Sequence, residues 1–136
     1  MSIPVELGEL ADAMAVYRFG YLLTIADDGR PHVVAARPAV TGDTVTVADL
    51  GRRTSSNIAA RPPVTLLFPP AEPAGYSLIV DGQAAVRDDA TVTIAPERAV
   101  LHRPAPGLAD APEPAVAGEP APGCGSDCVE IDLTAG

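Results

Sequence analysis

Polar and apolar residues alternate in Thr44-Val45-Thr46-Val47-Ala48. This is the period-two pattern of a half-buried β-strand, whose successive side chains point to opposite faces. Tyr21 to Ala26 is an apolar run that ends in Asp27-Asp28-Gly29. Glycine there accepts the positive φ of a tight hairpin turn, so a second strand is expected from Arg30 to Thr41. Pro31 and Pro38 cannot donate to a sheet ladder and belong at a strand start, an edge or a bulge. Gly42-Asp43 supplies the next turn. Val64 to Phe68 and Tyr76 to Arg87 read as further strands joined by the loop Pro69 to Gly75, with Gly82 marking a bulge or bend. Asp88-Asp89 turns the chain and Thr91 to Ile94 continues as strand, while Pro96 to His102 is readable as a short helix or as extended chain. Val129-Glu130-Ile131-Asp132-Leu133 alternates as a last strand.

Helical spacing occurs twice. Leu7, Leu10, Ala11 and Met14 predict one amphipathic helix from Pro4 to Phe19, with Glu6, Glu9 and Asp12 on its other faces and Gly20 as its stop. Proline suits a first helical turn, and acidic residues near that end favour the helix dipole. A short internal helix is predicted over Ser55 to Ala60, with the hydroxyls of Thr54, Ser55 and Ser56 available as N-caps and Pro62-Pro63 ending it. Arg103 to Gly125 is dense in Pro, Ala, Gly and acidic residues, so a mobile loop is expected there. About six or seven strands in successive hairpins predict a mainly β fold, an antiparallel barrel rather than a parallel sheet. Residues 1–136 read as one domain.

Composition narrows the function. The chain of 136 residues is 47% hydrophobic but only 4% aromatic, without Trp, so Val, Leu, Ile and Ala must fill the core. Its net charge is −9, and all nine basic residues are arginine. A chain this acidic is repelled by nucleic acid and by anionic lipid headgroups. No stretch reaches the ~20 apolar residues of a membrane span, and Glu6, Glu9 and Asp12 precede any basic residue, unlike a secretory signal. A cytoplasmic location is expected, with neither nucleic acid nor membrane as partner.

The one dense basic spot is Gly51-Arg52-Arg53-Thr54-Ser55-Ser56-Asn57-Ile58. It places two guanidiniums and three hydroxyls at a helix start, where unpaired N–H groups and a partial positive charge favour anions. Arginine adds planar, charge-assisted hydrogen bonds to phosphate oxygens. The plainer account is solvated arginines beside a hydroxyl helix cap.

The stretch Gly51 to Phe68, GRRTSSNIAARPPVTLLF, resembles the phosphate-binding loop, helix and following strand of the pyridoxamine 5′-phosphate oxidase-like flavin-binding split barrels. Tyr21 to Val33 resembles the family's opening hairpin, with Asp28-Gly29-Arg30-Pro31 at its turn, and Tyr76 to Ala84 resembles a later strand. The ordered series spans residues 4–95. It implies an antiparallel split β-barrel working as a homodimer, with FMN or the deazaflavin coenzyme at the interface. It puts Arg53 on the cofactor phosphate, with Arg52, Thr54, Ser55, Ser56 and Asn57 beside it. It runs Val34 to Pro38, with Ala35, Ala36 and Arg37, along the ring and ribityl chain, and it brings Tyr76 to Gln83 in from the second copy.

The resemblance implies a flavin- or deazaflavin-dependent oxidoreductase acting on a small molecule, in which the cofactor carries the hydride chemistry. The alternative is a non-catalytic module that binds or senses a flavin, a deazaflavin or a haem, or one that has lost its ligand. The family often has Lys where Thr54 stands; losing that charge weakens phosphate binding by about 1–3 kcal/mol, with Arg52 in place to compensate. No Arg-Leu-His-like segment follows near the C-terminus, so vitamin B6 oxidation is not expected.

Other residues carry weaker signals. His32 reads as a surface strand residue or an acid–base group, and His102 as a polar strand end or a residue closing over the cofactor. Cys124 and Cys128 read as free thiols, a disulfide or part of a metal clip, and the pair alone falls short of a structural zinc set. Tyr17 and Tyr21 read as core or interface residues, and Tyr76 as the tyrosine best placed for a ligand. No Gly-x-Ser-x-Gly, His-Glu-x-x-His or P-loop motif occurs, which leaves hydrolase chemistry without support.

Overall fold

Alternating segments along the chain pair into one antiparallel sheet of eight strands. The computed structural model describes residues 2–88 and 90–105. Most of the loop expected over Arg103 to Gly125, both cysteines and the strand expected over Val129 to Leu133 lie outside the described residues. The strands are β1 (Ser2–Val5), β2 (Gly20–Ile25), β3 (Pro31–Ala36), β4 (Ala39–Thr41), β5 (Thr44–Val47), β6 (Pro63–Phe68), β7 (Ser77–Asp88) and β8 (Thr91–His102). Helix α1 (Leu10–Ala15) follows a 3₁₀ turn at Leu7–Glu9, and α2 (Arg52–Ala60) separates β5 from β6.

Strand order explains the barrel. The sequence β3-β2-β6-β7-β8-β5-β4 places β3 and β4 at opposite ends of the sheet. Only Arg37-Pro38 joins them in the chain, so the sheet curls until its two ends come near each other, without pairing. The barrel is split at β8. One edge of β8 pairs with β5 over Val92–Ile94 and with β1 over Ala99–His102. Pro96, which has no N–H to donate, stands in the gap between those partners. The expected irregularity at Gly82 is present as a register shift between Asp81 and Gly82. A Cβ at Gly82 would lie 2.5 Å from the Ala95 carbonyl oxygen, so no side chain fits there. Inward residues alternate along the strands, and Leu22, Val45, Leu66, Leu78, Val92 and Ile94 have no exposed surface.

Two expectations change and one open reading is resolved. The helix predicted over Pro4 to Phe19 is present only as Leu10–Ala15, because Ser2–Val5 pairs with Ala99–His102 nearly a hundred positions away. Pro4 sits on that outer strand, where a missing donor is tolerated. Helix α2 begins at Arg52 rather than Ser55; Gly51 occupies its N-cap and makes no side-chain bond, so the hydroxyls lie inside the helix and do not cap it. Pro96 to His102 is extended, since it continues β8 against β7. Among the described residues no helix is long and apolar enough to cross a membrane.

Candidate functional site

Helix α2 is held at both ends. Before it, Asp49 takes φ 60, a left-handed turn that Asp tolerates better than most residues. The Leu50 N–H then donates to the Ala90 carbonyl at 2.9 Å, beside the β7–β8 hairpin. At the far end, Arg61 Nε donates to the Ile25 carbonyl at 2.8 Å and its terminal nitrogen pairs with Asp27 at 2.7 Å. The helix thus runs from the β7–β8 hairpin to the β2–β3 hairpin. Its inner face buries Ile58, Thr54 (1% exposed) and Asn57 (5%). The Asn57 amide donates to Thr24 Oγ1 at 3.0 Å, whereas the buried hydroxyls of Thr54 and Ser55 have no partner.

The N-terminus of α2 is open. The first helical bond runs from the Ser55 N–H to the Gly51 carbonyl at 3.2 Å, and glycine has no side chain with which to cap. The N–H groups of Arg52, Arg53 and Thr54 therefore have no acceptor within the helix, and those of the exposed Arg52 and Arg53 are available to an anion. Neither Arg52 nor Arg53 makes a hydrogen bond or ion pair with the described residues. Consecutive helical residues diverge by about 100°, and the two arginines line different hollows.

Three open hollows divide the residues singled out by sequence. The first, of ≈ 550 Å³, brings Arg53 and Asn57 together with Arg30, His32, Asp27 and Asp28. The second, of ≈ 720 Å³, holds Arg52, Ser55 and Ser56 against Val86 and Asp88. The third, of ≈ 510 Å³, joins Ala35, Ala36 and Arg37 to Arg18, Phe19 and Asp49. Arg52 therefore does not share a hollow with Arg53, and Thr54 faces the core. Tyr76 lies at the other end of β7, seven positions before Gln83, the residue level with Pro63 just past α2. At ~3.3 Å per residue that is roughly 23 Å along the strand. Its carbonyl accepts the Tyr17 hydroxyl at 2.8 Å, and the Arg103 guanidinium lies 4.7 Å from its ring centre.

Between the first and third hollows runs the free edge of β3. The Ala26 N–H donates to the Arg30 carbonyl at 2.9 Å, and residues pair consecutively from Ile25↔Pro31 to Gly20↔Ala36. Antiparallel alternation then directs the backbone groups of His32, Val34 and Ala36 to β2 and those of Val33 and Ala35 outward. His32 and Arg30 are the residues whose place beside Arg53 the sequence did not reveal. They stand more than twenty positions before it, and only the docking of α2 on the β2–β3 hairpin brings them there. Among the described residues no cluster of His, Cys, Asp and Glu is arranged to hold a metal ion.

No family model matches the chain. An uncharacterized protein of Mycobacterium bovis, Mb0449c, is 42% identical over 116 residues, 74% of this chain and 82% of its own. A Mycobacterium tuberculosis protein matches to the same extent. Among solved structures, a Listeria innocua protein assigned as a pyridoxamine 5′-phosphate oxidase has a TM-score of 0.59 at 16% identity, over 70% of this chain and 96% of its own. An FAD-binding protein of Mesorhizobium loti also has a TM-score of 0.59 at 16% identity, over 74% of this chain and 96% of its own. An F420 reductase has a TM-score of 0.50 at 20% identity, over 60% of this chain and 87% of its own. At such identities the likeness to the solved structures is one of fold.

Proposed function

We propose that this chain, whose fold is that of the pyridoxamine 5′-phosphate oxidase-like split barrels, holds a flavin-type cofactor, FMN or the deazaflavin coenzyme, by its phosphate at Arg53 and serves as an oxidoreductase for a small molecule. The observation that carries this reading is the open N-terminus of α2 beside an unpaired Arg53, in a hollow that also contains Arg30 and His32. Asp27 and Asp28 line the same hollow but pair with Arg61 and Arg30, which leaves the planar guanidinium of Arg53, beside an imidazole, as the charge open to a phosphate. From there the outward backbone groups of Val33 and Ala35 line a path suited to the polar edge of a tricyclic ring. The cofactor, when bound, supplies the hydride chemistry. The chain's own work is then to bind and orient it, and to exclude water from the reacting face.

A second copy belongs to this reading. The outward side chains of β2, β3, β6 and β7 include Leu23, Ile25, Val33, Leu67 and Ile79, and Val33 is 52% exposed. Such a face is suited to burial against its own copy. Tyr76, distant from α2 within one protomer, can meet the cofactor only from that second copy.

The test is titration of the purified protein with FMN and, in parallel, with the deazaflavin coenzyme, followed by quenching of ligand fluorescence. One ligand is expected to bind at micromolar concentration or tighter, and Arg53→Ala to weaken it by about tenfold to a hundredfold. Bleaching of the bound ligand by a reduced nicotinamide would separate an oxidoreductase from a module that only stores or senses its ligand. Failure of both ligands to bind would overturn the cradle.

A further inference from the structure

Most arginines of this acidic chain are engaged. Arg61 pairs with Asp27, Arg30 with Asp28 and Arg98 with Asp81. Arg87 donates to Thr93, and Arg103 lies over the Tyr76 ring. Arg18, Arg37, Arg52 and Arg53 make no hydrogen bond or ion pair with the described residues. In a protein with 18 carboxylates and a net charge of −9, two unpaired arginines that line one hollow call for a physical reason. Arg18 and Arg37 are such a pair.

Their proximity follows from register. Gly20 pairs with Ala36 at the open end of the β2–β3 ladder. Arg18 lies two residues before Gly20, in the bend that leads into β2, and Arg37 directly follows Ala36 at the end of β3; both line the ≈ 510 Å³ hollow. Phe19, 41% exposed, walls the same hollow. Its ring is held edge-on by Tyr21, with centroids 5.6 Å apart at 80°, so it presents a fixed apolar surface. One carboxylate, Asp49, also lines the hollow. Two guanidiniums against one carboxylate leave a single positive charge uncompensated, which suits a monoanion better than a phosphate dianion.

We propose that the Arg18–Arg37 hollow is the subsite for the carboxylate of a small, planar, apolar substrate. Arg37 and Arg18 grip the carboxylate, and Phe19 lies against the apolar body. The inference deepens the flavin reading and rests on it for the word substrate. The hollow lies at the opposite end of β3 from His32 and Arg53, roughly 16 Å away at ~3.3 Å per residue. A phosphate seated at Arg53 therefore leaves this end free.

The experiment titrates the full chain with benzoate, and with benzamide as its neutral isostere, with and without saturating FMN, by isothermal calorimetry. Benzoate is expected to bind saturably and benzamide at least tenfold more weakly. Arg18→Gln is expected to weaken benzoate about tenfold, and Arg18→Lys less, while FMN affinity stays within twofold in both. Arg18 is exposed, and an unchanged urea midpoint in the variants will show that the fold survives. Absence of benzoate binding, equal binding of benzamide, or full affinity in Arg18→Gln would overturn the inference. FMN binding without benzoate binding sinks the subsite alone. Benzoate binding that depends on Arg18, without FMN binding, sinks the flavin reading and leaves the anion subsite.

Discussion

The two helices of this protein are fastened to the barrel by different forces. Helix α1 has six residues, no side-chain cap and an inner face of Leu10 and Met14. It lies beside an apolar hollow of ≈ 350 Å³ lined by Leu10, Val40, Val45 and Pro96. Helix α2 has nine residues and buries two polar side chains with its Ile58. Directional bonds tie it to β2 through Asn57, to the β2–β3 hairpin through Arg61 and to the β7–β8 hairpin through the preceding Leu50. Apolar contact is non-directional and tolerates small displacements, whereas hydrogen bonds fix position and angle. The element that carries Arg52 and Arg53 is the one fixed by hydrogen bonds.

The strongest challenge to this contrast is a matched pair of cavities. Leu10 and Ile58 are equally buried, and Leu10→Ala and Ile58→Ala are each expected to cost about 2–5 kcal/mol in urea unfolding. Ligand affinity should separate them. Ile58→Ala loosens the helix that carries Arg53 and is expected to weaken FMN severalfold, while Leu10→Ala leaves it unchanged under conditions where both variants remain folded. Equal loss of FMN affinity would show that α1 positions the site as much as α2 does.

A finer test compares two buried polar residues of α2. Asn57→Ala strands the Thr24 hydroxyl in the core and is expected to cost about 1–3 kcal/mol. Thr54→Val replaces a hydroxyl that has no partner by a methyl group of similar size, and is expected to be neutral or stabilising by up to about 1 kcal/mol. Denaturant midpoints decide both. A large loss in Thr54→Val would mean that its hydroxyl has a role that the geometry does not show.

The strands were legible where their signal is local. Val45 and Val47 alternate with threonines and are fully buried, and Gly29 and Gly42 take positive φ at the two turns expected of them. What the sequence hid is non-local. Ser2–Val5 is a strand only because residues 99–102 offer it an edge, and nothing in its own composition opposes a helix through Pro4. Pro96 to His102 was ambiguous because β8 changes partner there and Gly82 bulges opposite, so its residues keep no steady period. Around α2, the place of Arg53 at a helix start was legible from its own loop. Arg30 and His32, which share its hollow, and Arg18 and Arg37, which share another, are brought together by register and by helix docking, for which a single sequence holds no mark.

A loss smaller than that of Asn57→Ala is expected on the α1 side, where one directional bond does exist. The Tyr17 hydroxyl, just past α1, donates to the Tyr76 carbonyl at 2.8 Å, and its ring lies 5.7 Å from Phe68. Tyr17→Phe keeps the ring contact and loses the bond, for an expected cost of about 0.5–1.5 kcal/mol at neutral pH. Burial raises the Tyr17 pKa above its ordinary 10.0, because desolvation disfavours the phenolate. The folded state therefore holds this proton more tightly than the unfolded state. Tyr17's contribution is complete below the unfolded pKa and is lost as pH rises through the raised folded value. Urea midpoints of the wild type should fall between about pH 8 and about pH 11, and the wild type's advantage over Tyr17→Phe should shrink across the same interval. If Tyr17→Phe instead cost more than Asn57→Ala, the α1 side would be the more firmly bonded of the two, and the contrast between the helices would have to be reversed.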